Sequence, residues 1–136
     1  VMKCNIYITL LSVALSVTFF SSEARAQQQE VDVYQRAEEE ADRLADLLDL
    51  DDWQTFYVDS TLKHDLPAIM EEFTKLNESK VSNPTLYQTV QDKWFDQIDA
   101  TYKKIFTEEQ WAEYMKTSGG KALKAREKRK AKAQKK

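Results

Sequence analysis

The chain has 136 residues, 32% of them charged and 42% hydrophobic, with a net charge of −3 and only two glycines, two prolines, one cysteine and one histidine. So few turn formers argue against a many-stranded β fold, which needs a turn about every 8–12 residues. The wealth of Ala, Leu, Glu, Lys and Gln favours helix. A single cysteine, Cys4, excludes a disulfide framework, and with His64 as the one imidazole an ordinary zinc site of three or four N/S ligands is excluded too.

The first element is an export leader. Met2 and Lys3 supply a short positive start, and "NIYITLLSVALSVTFF" is an apolar run shorter than the ~18 residues that a membrane span needs. Ala24-Arg25-Ala26 gives the small-x-small pattern of a signal-peptidase site, so cleavage is expected after Ala26, with a periplasmic or secreted product. Charge divides the rest of the chain. Residues 27–120 carry 21 acids and nine Lys or Arg, a net of −12, whereas residues 121–136, "KALKAREKRKAKAQKK", carry nine bases and one acid. The expected organisation is a leader over 1–26, one all-α domain over 27–120 and a flexible basic tail over 121–136.

Within the domain, Tyr34, Ala37, Ala41, Leu44 and Leu48 are spaced 3, 4, 3, 4 and predict a helix over about 31–50 with those residues on its buried face. Glu38, Glu39, Glu40 and Asp42 cover the other side, where Glu39 and Arg43 are placed to pair. A second helix, about 52–76, carries Val58, Leu62, Leu66, Ile69, Phe73 and Leu76 on one stripe and Trp53, Phe56 and Tyr57 roughly opposite. Two apolar sides predict either a helix buried between two others or an aromatic patch kept for a partner, and the first is the more economical. Pro67 predicts a bend, with Asp65 placed to cap a restarted helix. After the loop "NESKVSN", Asn83-Pro84 opens a third helix to Ile105 with Tyr87, Val90, Trp94, Ile98, Tyr102 and Ile105 as its stripe. A short fourth helix spans about 108–117, and Gly119 is placed to stop it.

Two corners in this sequence look alike. Phe106, Thr107 and Gln110 repeat the arrangement of Leu50, Asp51 and Gln54, and the two Gln residues are 56 positions apart. With Thr107 as N-cap, its hydroxyl accepts from the Gln110 N–H and the Gln110 side chain reaches back to the Thr107 N–H, while Phe106 and Trp111 are placed as a hydrophobic staple. Asp51 and Gln54 repeat the box at the first corner. The motif is architectural: each copy is a tight corner between two helices, and losing one such cap costs about 0.5–2 kcal/mol.

Leu50-Asp51-x-x-Gln54 and Phe106-Thr107-x-x-Gln110 resemble the paired LTxxQ motifs of the Spy/CpxP family of exported all-α proteins. The resemblance covers most of the chain after the leader in layout and about ten residues in detail. It implies an elongated helical hairpin of about four helices with short arms, a curved homodimer, and ATP-independent chaperone activity or a part in envelope-stress sensing. Asp51 in place of Thr and Phe106 in place of Leu keep the capping chemistry. The acidic body departs from that family's basic cradle.

No catalytic motif is legible. Asp51/Asp52 and Glu71/Glu72 are sequence neighbours, so on a helix they point about 100° apart and make no acid–base pair. His64 beside Asp65 reads as a surface residue. No metal or cofactor is expected, and the chain reads as a binding protein rather than an enzyme. Its expected client surface is a cradle of Trp53, Phe56, Tyr57, Trp94, Phe95 and Tyr102 for apolar protein segments. The alternative is an adaptor whose Lys121, Lys124, Arg126, Lys128, Arg129 and Lys130 contact an anionic membrane surface or an acidic partner; nucleic acid is the least expected partner.

Overall fold

The structure is a computed structural model; it describes the backbone of residues 21–135 and the side chains of residues 32–135. The expected leader with Cys4, and the cut after Ala26, lie outside the residues whose side chains are described. The described residues form five helices: α1 Ser21–Leu48, α2 Asp52–Glu78, α3 Pro84–Ile105, α4 Glu108–Tyr114 and α5 Ser118–Ala133. No strand occurs among the described residues, so the protein is all-α, and none of the described helices is long and apolar enough to cross a membrane. The stretch to Asp32 is a unit of its own, and the core and the site belong to the compact unit from Val33 onward.

The predicted stripe of α1 is its core face: Ala37, Ala41, Leu44 and Leu48 are at most 5% exposed. Tyr34, expected on the same stripe, is 39% exposed. Arg43 pairs with Glu40 one turn back, not with Glu39, which accepts from Gln35 instead. The helix ends earlier than predicted. Asp49 takes a left-handed backbone (φ 50°) and the Leu50 N–H bonds the Ala45 carbonyl at 3.0 Å, a Schellman-type stop that aims the Asp49 carbonyl out of the helix.

α2 and α3 make the most extensive helix–helix contact and run antiparallel: Gln54 lies beside Ile105, Glu72 beside Lys93 and Phe73 beside Tyr87. Val58, Leu62 and Ile69 are buried from the predicted α2 stripe, and Ile98 and Tyr102 from that of α3. Full burial of one such side chain contributes about 1.5–3 kcal/mol. α2 is continuous through Pro67; Asp65, expected as a cap, is an interior residue, 3% exposed and bonded to the His64 ring at 2.7 Å. The third helix starts as predicted, with the Asn83 side chain accepting from the Thr85 N–H and Pro84 in the first turn.

Two expectations fail together at the C-terminus. Gly119 does not stop α4, which ends at Tyr114, and the basic segment is helix α5, docked on α3, rather than a flexible tail. Thr117 caps α5, accepting from the Gly120 N–H, so both glycines lie in its first turn. They are needed there for approach rather than for termination. A Cβ on Gly120 would sit 2.3 Å from the Met115 Cα, and one on Gly119 2.7 Å from the Tyr114 hydroxyl. Gly120→Ala is therefore expected to destabilise the fold by about 1–3 kcal/mol, as overpacking against rigid backbone does. Urea unfolding followed by circular dichroism checks this, and a value within about 0.5 kcal/mol of wild type would contradict it.

Candidate functional site

The two corners meet. At the second, the Thr107 hydroxyl accepts from the Gln110 N–H at 3.2 Å and the Gln110 Oε1 accepts from the Thr107 N–H at 2.9 Å, the predicted reciprocal box. At the first, the Gln54 Oε1 accepts from the Asp51 N–H at 2.9 Å. Each glutamine then reaches across to the other corner. Gln54 Nε2 donates to Gln110 Oε1 at 2.7 Å and Gln110 Nε2 donates back to Gln54 Oε1 at 3.2 Å. The remaining N–H of each amide goes to a backbone carbonyl of the opposite corner: Gln54 to Ile105 at 2.7 Å, Gln110 to Asp49 at 3.3 Å. Asp49 and Ile105 each stand two residues before their corner's cap, so the arrangement is a local two-fold of one motif against itself.

An amide side chain offers two donors and two acceptor lone pairs. Both glutamines use all four. Gln54, 2% exposed, is among the largest fully buried side chains, and its burial is tolerated because nothing on it is left unsatisfied. A capping box alone uses one of the four. The other three needed partners, and a second copy of the same motif was the sequence signal for them.

Apolar groups close around this lock. Phe106 stacks on Tyr102 (ring centroids 5.1 Å) and packs on Tyr114 (5.9 Å), so its ring partners are these two tyrosines, while Trp111 lies against Tyr114 at 5.4 Å. Leu50 packs against the same core. Burial pushes the hydroxyl pKa of both tyrosines upward, helped at Tyr114 by its hydrogen bond to Asp99.

The expected cradle of six aromatics does not assemble. Tyr102 is core, 2% exposed; Phe95 packs against the core under the Arg126 guanidinium; Trp94 is half-buried and donates its indole N–H to Glu72 at 2.9 Å. Trp53, Phe56 and Tyr57 behave differently. They are 51%, 65% and 51% exposed and touch each other edge-on, at 6.2 Å for Trp53–Tyr57 and 5.8 Å for Phe56–Tyr57. The central-helix packing expected for α2 is thus corrected: its second apolar side faces out. The same opening stretch of α2 aims Gln54 inward and these three rings outward.

The basic residues also sort into two sets. Arg126, 4% exposed, pairs with Asp99 and with Asp96 (3.0 Å), Arg129 with Asp92 (2.7 Å), and Lys130 with Asp96. Asp92, Asp96 and Asp99 are spaced 4 and 3 along α3 and present one acidic face to α5. Burial pushes the Asp99 carboxyl above its ordinary range against the opposing pull of the Tyr114 hydroxyl (2.5 Å) and the guanidinium. At Asp96 burial acts in the same direction but is outweighed, and the hydrogen bonds from Lys130 and Arg126 hold it below that range. α5 also walls one side of a cleft of about 510 Å³ through Gly119, Ala122 and Arg126, opposite Leu62, Leu66 and Ile98. Lys121, Lys124 and Lys128 point away from this interface and are exposed.

His64 shares an open polar cleft with Ser60, Asp65, Gln97 and Thr101. Its ring bonds Asp65, but no hydrogen bond joins Ser60 to His64, so a Ser–His–Asp relay does not close there. Among the described residues no three of His, Cys, Asp and Glu gather as a metal-holding group. Comparison with models of known protein families, with curated proteins and with solved structures finds no match to this chain.

Proposed function

We propose that the protein is an exported, chaperone-like binding protein that holds apolar segments of other proteins without nucleotide, through Trp53, Phe56 and Tyr57. The observation that carries this reading is the exposure of three large rings within five residues of one helix, each more than half open to solvent. Removing such rings from water is favourable, and soluble chains keep contiguous apolar patches of this kind chiefly for partners. Aromatic rings give large contact area at modest entropic cost, and the Trp53 indole N–H and Tyr57 hydroxyl can each meet a backbone carbonyl of the bound segment, whatever its sequence. The lock beneath the patch fixes the first turn of α2, so the rings are presented on a rigid element and little ordering remains to be done on binding. The resemblance of the two corners to LTxxQ motifs points the same way.

The test is suppression of aggregation of a chemically unfolded client, without ATP. The wild-type chain is expected to suppress it, and Trp53→Ser/Phe56→Ser/Tyr57→Ser to lose most of that effect while unfolding within about 1 kcal/mol of wild type, because exposed side chains carry little stability. Equal suppression by the triple variant, or none by the wild type, would overturn the reading.

A further inference from the structure

We propose that the outer face of α5 is a docking surface for an anionic lipid bilayer, independent of the client-holding patch. The cations of α5 divide between two faces. Arg126, Arg129 and Lys130 lie on its inner face and are matched by Asp92, Asp96 and Asp99 of α3. Lys121, Lys124, Lys128 and Lys132 take part in no ion pair among the described residues and are all exposed. At about 100° per residue these four fall within an arc of roughly 80°, on the side away from the docked face, in a line of about 16 Å. A flexible tail would spread its charge through solution. A helix pinned by Arg126 holds four cations on one straight edge.

The chemistry of that edge favours a lipid surface. Lysine ammoniums are point charges on long stems that settle into a headgroup layer, and they lack the planar fork with which arginine reads a defined phosphate. No aromatic ring is interleaved among them to stack on bases. The only apolar residues beside the stripe are alanines such as Ala125 and Ala131, too little for the apolar centre of a protein–protein interface. The acidic body, net −12 over residues 27–120, is repelled by an anionic leaflet, so the charge-dependent contact is made by α5. Each lysine near such a leaflet strengthens partitioning about fivefold, so four acting together supply roughly several hundredfold.

The test is cosedimentation of the full chain with vesicles of phosphatidylcholine alone and with about one-third phosphatidylglycerol, in about 0.05 M and about 0.5 M salt. The quantity read is the gain on adding anionic lipid, which cancels any apolar attachment common to both vesicles. The wild type is expected to gain strongly at low salt and to lose the gain at high salt. Lys121→Gln/Lys124→Gln/Lys128→Gln/Lys132→Gln is expected to lose it by roughly several hundredfold with its helical circular dichroism unchanged. A quadruple variant that keeps the gain overturns the proposal, as does a wild type that gains nothing. Loss of the gain together with helicity also overturns it, since the lysines would then be holding α5 rather than serving lipid. A soluble polyanion or a second copy of the chain that engages the four lysines in vesicle-free solution, with no gain on vesicles, assigns the face to another partner.

Discussion

Replacing Gln54 by Leu is expected to lower the unfolding free energy by about 3 kcal/mol although the volume is nearly kept. The change strips a partner from the Asp51 N–H, the Ile105 carbonyl and both ends of the Gln110 amide. Each buried polar group left bare costs about 1–3 kcal/mol, far more than the net gain from an average hydrogen bond. Gln110→Leu strips the mirror-image set at Thr107, Asp49 and Gln54, with a smaller cost because Gln110 is half-buried. The double variant is the sharper test. With both amides gone neither is left facing an apolar neighbour, so the double loss is expected to fall short of the sum of the single losses by about 1–2 kcal/mol. Two independent capping boxes would give additive losses. Urea titrations of the four proteins measure the difference, provided their m-values agree.

Arg126→Met is the second large effect expected. It leaves the Asp99 carboxylate, 4% exposed, with the Tyr114 hydroxyl as its one remaining partner, and it takes a donor from Asp96. Breaking one side of a buried pair costs about 3–5 kcal/mol, most of it the unpaired charge. Asp99→Asn in the same chain removes that charge and is expected to restore at least half of the loss. The pH dependence has a definite sign. Asp99 is raised by burial, so its ionisation costs stability as pH climbs through the carboxylate range, and that cost grows without the guanidinium. Asp96 is held low in the wild type, so its contribution is present above the ordinary carboxylate range and fades as pH falls through its lowered value. Both effects make the deficit of Arg126→Met largest near neutral pH and smaller in acid. The variant is also expected to bind an apolar dye more strongly, because α5 walls the cleft over Leu62 and Ile98. A deficit that grows on acidification would contradict this account.

How far the sequence could be read depends on what kind of interaction decided each element. Period and capping are local and legible: Ala37, Ala41, Leu44 and Leu48 of the α1 stripe and Ile98 and Tyr102 of the α3 stripe are buried, and the Asn83-Pro84 start and the Thr107–Gln110 box occur as the spacing predicts, whereas Tyr34 is exposed. The misreadings occur where a distant partner decided. Residues 121–136 lack the apolar content to dock by burial, so composition alone reads as a free tail; the docking is ionic, through Asp92, Asp96 and Asp99 thirty or so residues upstream, whose 4 and 3 spacing does not by itself name a partner. Gly119 and Gly120 fit a helix stop by type and were instead demanded by close approach to Tyr114 and Met115. At the candidate site, exposure separated rings that pattern could not. Trp94, Phe95 and Tyr102 share α3 with its core, whereas Trp53, Phe56 and Tyr57 lie on a side of α2 that is left open among the described residues. The two glutamines were legible as caps and missed as partners of each other, since a capping argument stops at one hydrogen bond per side chain.

The central claim is that the two look-alike corners form a single lock, Gln54 against Gln110, which fixes the start of α2 and the rings it presents. Side-chain amide NMR of a ¹⁵N-labelled chain tests it most directly. The account predicts that the Gln54 and Gln110 amide protons show cross-relaxation with one another and exchange slowly with solvent, unlike those of exposed Gln88 and Gln91. Amide protons that exchange as fast as those of Gln88, with no cross-peak between the two side chains, would contradict it.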